Sequence, residues 1–180
     1  THNHQADHIN AQEMAQLAAT EKDFRATVEG TFPEGSYPAA EVLTLKRGAQ
    51  VMFIKNDSSG EHRYYNGMLG EITDISDNTV TVRPNDSAEE IEVGMETWQN
   101  SRFTLNEKTN EIEEVVDGTF KQIPLRLAWA ITVHKSQGLT FERAIIDVQS
   151  AFSHGQAYVA LSRCKTLEGM VLSDPIPREA

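Results

Sequence analysis

Thr132-Val-His-Lys-Ser-Gln-Gly138 is the segment whose residue types could do the most chemistry. Thr132 and Ser136 bring hydroxyls, His134 an imidazole, Lys135 an ammonium and Gln137 an amide, while Gly138 leaves the backbone open. A point charge flanked by neutral donors suits a phosphate group. A core segment is not written this way, because so many polar side chains would each need a buried partner. Further along lies Gly155-Gln-Ala-Tyr-Val-Ala-Leu-Ser-Arg163. Arginine presents a planar, permanently charged fork that matches phosphoryl oxygens.

The elements that must position these residues read as α/β. Ala144–Val148 and Met170–Leu172 have the apolar, β-branched texture of buried strands, and Gln156–Cys164 reads as a helix opened by Gly155. The two strands are expected side by side, with the helix crossing between them. Leu125–Ile131 is apolar and fits either strand or helix. From Leu43 to about Pro124 the hydrophobic period is two. Val51–Ile54, Met68–Ile75, Thr79–Arg83, Glu90–Val93, Arg102–Leu105 and Ile112–Val116 read as short strands, with a turn signal at Asn66-Gly67 and a polar turn at Asn106–Asn110. Short strands at close spacing predict a small β-barrel. Residues 4–20 read as a helix that Asn3 can cap, and 24–41, punctuated by Gly30, Pro33, Gly35 and Pro38, as connecting chain. The predicted architecture is an α/β domain made of residues 1–41 and 125–180, interrupted by an all-β barrel over 42–124.

The formal net charge of −11 argues against a polyanionic partner until its distribution is read. Residues 1–120 hold 9 Lys/Arg and 22 Asp/Glu, a balance of −13; residues 121–180 hold 7 and 5, a balance of +2. The anion-binding candidates therefore sit in the basic end, and local charge governs phosphate contacts. The acidic part, taken alone, reads equally well as a solvated face. Cys164 is the one cysteine, which excludes an internal disulfide and suits a reducing, cytoplasmic setting. No apolar run is long enough for a membrane span, and the start lacks the plan of a signal peptide. His2, Asn3 and His4 spell a string found in metal-dependent nucleases, but no Cys or clustered acid lies nearby at ligand spacing, so these histidines read as exposed helix-start residues.

Ala130-Ile-Thr-Val-His-Lys-Ser-Gln-Gly-Leu-Thr-Phe141 resembles motif V of superfamily-1 DNA helicases of the RecD-like branch, and Gly155–Cys164 resembles their motif VI. Thr1–Asn10 looks like the end of motif IV. The stretches Gly48–Met52 and Asn66–Gly70 are similar to the Src-homology-3-like barrel that this branch inserts into its second motor domain. The resemblance implies a partial RecA-like motor domain of the P-loop NTPase type, and an ATP-dependent translocase moving 5′ to 3′ on single-stranded DNA, in settings such as DNA repair and recombination. It implies that Thr132, His134, Lys135 and Ser136 hold the DNA backbone, and that Gln137 and Gly138 couple it to the nucleotide side. Arg163 then reaches the γ-phosphate of ATP, supported by Gln156 and Tyr158. Taken without the motifs, Lys135 reads as a surface lysine, Arg163 as a helix-end cap, and Tyr158, Val159 and Leu161 as core. Tyr64 and Tyr65, with Arg63, fit either base stacking or half-buried strand positions.

One departure from the family is decisive for the expected activity. No Gly in the chain is followed by Lys, so the Gly-rich phosphate loop ending in Gly-Lys-Ser/Thr is absent, as is a strand ending in an acidic pair for Mg²⁺. The chain is expected to be the C-terminal motor half of a helicase, with ATP and Mg²⁺ held mainly by a first motor domain outside it. Two other readings stay open: a non-catalytic protein-interaction module, and the helicase part of a conjugative relaxase.

Overall fold

A computed structural model describes residues 3–106, 111–147 and 155–174. The chain opens with helix α1 (Asn3–Gln16). Ten strands follow: β1 (Lys22–Arg25), β2 (Thr27–Gly30), β3 (Val42–Leu45), β4 (Gln50–Phe53), β5 (Leu69–Ile75), β6 (Val80–Pro84), β7 (Ile91–Val93), β8 (Glu96–Asn106), β9 (Glu111–Gln122) and β10 (Leu125–Leu127). The last elements are β11 (Ala144–Ile146), helix α2 (Gln156–Leu161) and β12 (Met170–Leu172). They form two compact units, one from residues 1–13 and 129–180, the other from 14–128.

The unit of residues 14–128 is antiparallel β. One sheet has the order β10-β4-β5-β6-β7, a second the order β2-β9-β8, and β1 pairs with β3. The period-two pattern explains the main sheet: β6 alternates with Val80 and Val82 inward, and β7 with Ile91 and Val93 inward. Phe53, Ile72, Phe120 and Leu125 fill the interior with no measurable exposure. Gly30 has φ +65° and lies opposite Gly118 in the β2–β9 ladder; a side chain on Gly30 would strike the backbone of Asp117, so glycine is required there.

Residues 24–41 are not mere connection. β2 lies within them and β1 runs into their start, and their backbone is tied in by the fully buried Gln122. Its Nε2 donates to the carbonyls of Phe24 (3.0 Å) and Ala40 (3.0 Å), and its Oε1 accepts from the Ile123 amide (2.9 Å). Each strand has only four residues, too few to show a period, and their pairing is set by the partner strand. The division between units accordingly falls at residues 13/14 and 128/129, whereas the sequence suggested 41/42 and 124/125. The first helix also ends earlier than expected, at Gln16, and the helix from Gln156 stops at Leu161, short of Cys164.

The other unit is α/β. β11 and β12 are parallel, with Ala144 opposite Met170 and Ile146 opposite Leu172, and α2 lies between them in sequence. Ile146, Ala157 and Ala160 form its buried centre, with Val133, Leu161, Cys164 and Met170 packed against it. Cys164 is half-buried. The part of the expected strand beyond Asp147 lies outside the described residues.

Candidate nucleic-acid and nucleotide interface

Asn10 fixes the approach to the Thr132–Gly138 segment. Its buried side chain donates to the Ala130 carbonyl and accepts from the Ala130 amide, both at 2.9 Å. That reciprocal pair mimics a rung of a β-ladder and holds the chain two residues before Thr132. Nothing in the sequence marked Asn10, because a lone Asn in a helix pattern carries no such signal.

From Val133 to Gly138 the backbone is coiled in successive turns. The Ser136 amide donates to the Thr132 carbonyl at 3.0 Å, and the Leu139 amide to the Ser136 carbonyl at 3.0 Å. The two hydroxyls serve the turn itself. Ser136, 5% exposed, donates Oγ–H to the Val133 carbonyl at 2.7 Å. Thr132, also 5% exposed, accepts the Lys135 amide at 3.4 Å. His134, Lys135, Gln137 and Gly138 are exposed. Among the described residues, Lys135 makes no ion pair with a carboxylate. Gly138 has φ +79°, a left-handed conformation that a side chain would strain.

The second motif is joined to the first through backbone. Gly155 precedes α2 with φ +88°, and Gln156 opens the helix. Ser162 ends the helix, and the chain beyond it pairs with Phe141: the Phe141 amide donates to the Arg163 carbonyl (2.8 Å) and the Lys165 amide to the Phe141 carbonyl (2.9 Å). This pairing is why the helix stops before Arg163 and Cys164. The Arg163 guanidinium is half-buried. Nε donates to the Val159 carbonyl at 3.1 Å, Nη2 to Ser162 Oγ at 3.0 Å and Nη1 to the Leu139 carbonyl at 3.4 Å. All its bonds go to neutral groups; among the described residues it makes no ion pair. A guanidinium positioned by neutral acceptors keeps its charge for an anion. Among the described residues Gln156 Oε1 is buried without a hydrogen-bond partner.

Tyr158 is 75% exposed, so it is surface rather than the core position its helical spacing suggested. A short helix over a two-stranded sheet buries only one stripe, here Ala157 and Ala160. On the β unit, Tyr64 is core: 3% exposed and stacked on Phe53 at 4.5 Å. Tyr65 is 54% exposed. Arg63 is engaged by Asp57, whose carboxylate accepts from the Ser59 amide (3.0 Å), the Arg63 amide (3.0 Å) and Arg63 Nε (3.1 Å). Burial pushes the Asp57 carboxyl up, but the Ser59 and Arg63 hydrogen bonds outweigh it and hold the group well below the usual carboxylate range. Burial and the neighbouring Glu96 push the Tyr64 hydroxyl upward. Among the described residues no group of three His, Cys, Asp or Glu could hold a metal ion. No helix among them is long and apolar enough to cross a membrane.

The fold is of the RecA-like P-loop class, α/β with an added β-rich region. No family model matches the chain. Its relatives over nearly its whole length are Pif1 helicases of superfamily 1, rather than helicases of the RecD-like branch as such. It is 33% identical over 218 residues to the ATP-dependent DNA helicase Pif1 of Psychrobacter sp., covering 96% of this chain and 33% of that protein. With the Pif1 of Bdellovibrio bacteriovorus it shares 36% identity, over 96% of this chain and 38% of that one. Unliganded Pif1 from Bacteroides sp. superposes with a TM-score of 0.90 at 44% identity, covering 99% of this chain and 40% of that one. The Bacteroides protein has also been solved with ADP-AlF4 (TM-score 0.87) and with single-stranded DNA (TM-score 0.78). The chain thus spans about a third of the length of the curated relatives it matches.

Proposed function

We propose that the chain is the second motor domain of a Pif1-type, ATP-dependent DNA helicase that translocates 5′ to 3′ on single-stranded DNA, with the β unit of residues 14–128 as an inserted Src-homology-3-like barrel. The observation that carries this reading is the 44% identity, at a TM-score of 0.90, with Bacteroides Pif1 across 99% of the chain. Lys135 and His134, exposed at the apex of the turn, hold the DNA backbone; a translocase needs such contacts because they carry no base preference. Thr132 and Ser136 act on the DNA through the turn they fold. Arg163 meets the phosphoryl oxygens of ATP, with Gln156 beside it and Gln137 and Gly138 on the path between the two ligands. ATP itself supplies the driving reaction, and in related sites an arginine so placed raises the rate by about 10³–10⁵.

The geometry suits coupling. The backbone that leaves the DNA-side turn at Gly138 reaches Leu139 and Phe141, which bond the Arg163 side chain and main chain respectively. These bonds form a contiguous path between the two sides, the kind of network that can carry coupling.

The phosphate-cradling loop and the Mg²⁺ ligands belong to the first motor domain, which this chain does not contain. The chain alone is expected to bind single-stranded DNA with salt-dependent affinity and to hydrolyse no ATP above background, measured by phosphate release with and without DNA. DNA-stimulated turnover by this chain would overturn the division of labour proposed here.

A further inference from the structure

Asn10 directs both of its polar groups at one distant residue. Its Nδ2 donates to the Ala130 carbonyl and its Oδ1 accepts from the Ala130 amide, across 120 positions of sequence. Ala130 lies outside every strand, so these bonds supply the donor and acceptor that a neighbouring strand would otherwise offer. Asn10 is 8% exposed, and an amide so enclosed is unfavourable unless both of its ends are satisfied. The helix that carries it is held a second time. Gln5 Nε2, on an earlier turn of α1, donates to Asp147 Oδ2 at 3.2 Å, one residue past β11. α1 thus braces the α/β unit at two points, just before the Thr132–Gly138 turn and just after β11. The turn is closed by its own bonds, the Ser136 amide to the Thr132 carbonyl and the Ser136 hydroxyl to the Val133 carbonyl. Its apex therefore moves with whatever holds Thr132, and only Ile131 separates Thr132 from the anchored Ala130.

We propose that Asn10 is a positioning residue for the DNA side: by holding Ala130 it sets where His134 and Lys135 stand before a single strand arrives. The inference rests on the reading of Thr132–Gly138 as a contact to the DNA backbone. Without the anchor, Ala130 and Ile131 regain backbone freedom that binding must remove again. Re-ordering one such residue weakens binding roughly 5- to 30-fold. Asn10 itself touches neither DNA nor nucleotide in this reading, so its loss falls on affinity for DNA and not on the chemical step.

The test uses Asn10→Ala and Asn10→Asp in the full-length helicase that the proposed function implies, with ATP turnover measured against the concentration of an oligo-dT strand. The DNA concentration at half-saturation does not depend on how many molecules are folded, so a loss of stability alone does not move it. Asn10→Asp keeps the size of the side chain but loses the donor to the Ala130 carbonyl, so a residue that merely filled space would tolerate it. Both variants are expected to need about tenfold more DNA for half-saturation, with turnover at saturating DNA within about twofold of the parent. For Asn10→Ala the salt dependence of DNA affinity should match the parent, since no cation is removed. The assignment of Asn10 is overturned if either variant half-saturates as the parent does, or if turnover at saturating DNA falls instead. A parent whose turnover ignores DNA would overturn the DNA-contact reading itself.

Discussion

Replacing Lys135 by alanine, in the full-length helicase that the proposed function implies, separates a DNA-phosphate contact from a structural one. The Lys135 side chain is exposed and, among the described residues, pairs with no carboxylate; only its backbone amide is engaged, by Thr132 Oγ1 at 3.4 Å. Truncation should leave the fold as it is, with an unchanged thermal midpoint. On the proposed reading it removes one ammonium near one phosphate of a single strand. Each such contact contributes about 0.7 to the slope of log affinity against log salt. Raising salt fourfold should then weaken the parent by about 2.5-fold more than the variant (the fourfold change raised to the power of about 0.7). Anisotropy titrations with labelled single-stranded DNA at several salt concentrations measure this slope. A weaker affinity with an unchanged slope, or a lowered thermal midpoint, would make Lys135 a residue of the turn rather than of the interface.

Ser136→Ala should behave in the opposite way: it removes the 2.7 Å bond from the buried Ser136 hydroxyl to the Val133 carbonyl, costing about 1 kcal/mol in urea unfolding with the salt slope unchanged. Asp57→Ala should cost about 2–4 kcal/mol, because the side chain is 1% exposed and its loss leaves the Ser59 and Arg63 amides without an acceptor. The folded-state Asp57 carboxyl is held below its unfolded value of about 3.9, so its contribution is present above that pH and is lost as pH falls toward the folded value. Unfolding measured from pH 7 downward should show parent and variant converging below about pH 4; divergence instead would refute the assignment.

The sequence made the β unit legible wherever alternation ran long enough, as in β5, β6 and β7, and it marked the strand–helix–strand run around α2. It failed where burial is set by a partner from far along the chain. β1 and β2 are too short to show a period, and Gln122, which binds their neighbourhood from about a hundred residues away, looks like any polar residue in a strand. At the candidate site, residue types singled out Thr132–Gly138 but did not tell which side chains face out. Thr132 and Ser136 turned inward because a tight turn needs acceptors and donors for its own backbone. The Phe141–Arg163 backbone link was illegible, since main-chain pairing leaves no mark on side-chain identity.

In the proposed function Arg163 serves the ATP side of a motor whose DNA side lies at Lys135. That assignment is tested most directly by Arg163→Ala in the full-length helicase, with DNA-stimulated ATP turnover and single-stranded DNA affinity measured on the same preparation. Among the described residues the guanidinium bonds go to neutral groups, two at the helix end and one at Leu139, so folding should survive the change. Turnover is expected to fall about 10³-fold or more while DNA affinity stays within about twofold of the parent. Normal turnover with lost DNA binding would contradict the account.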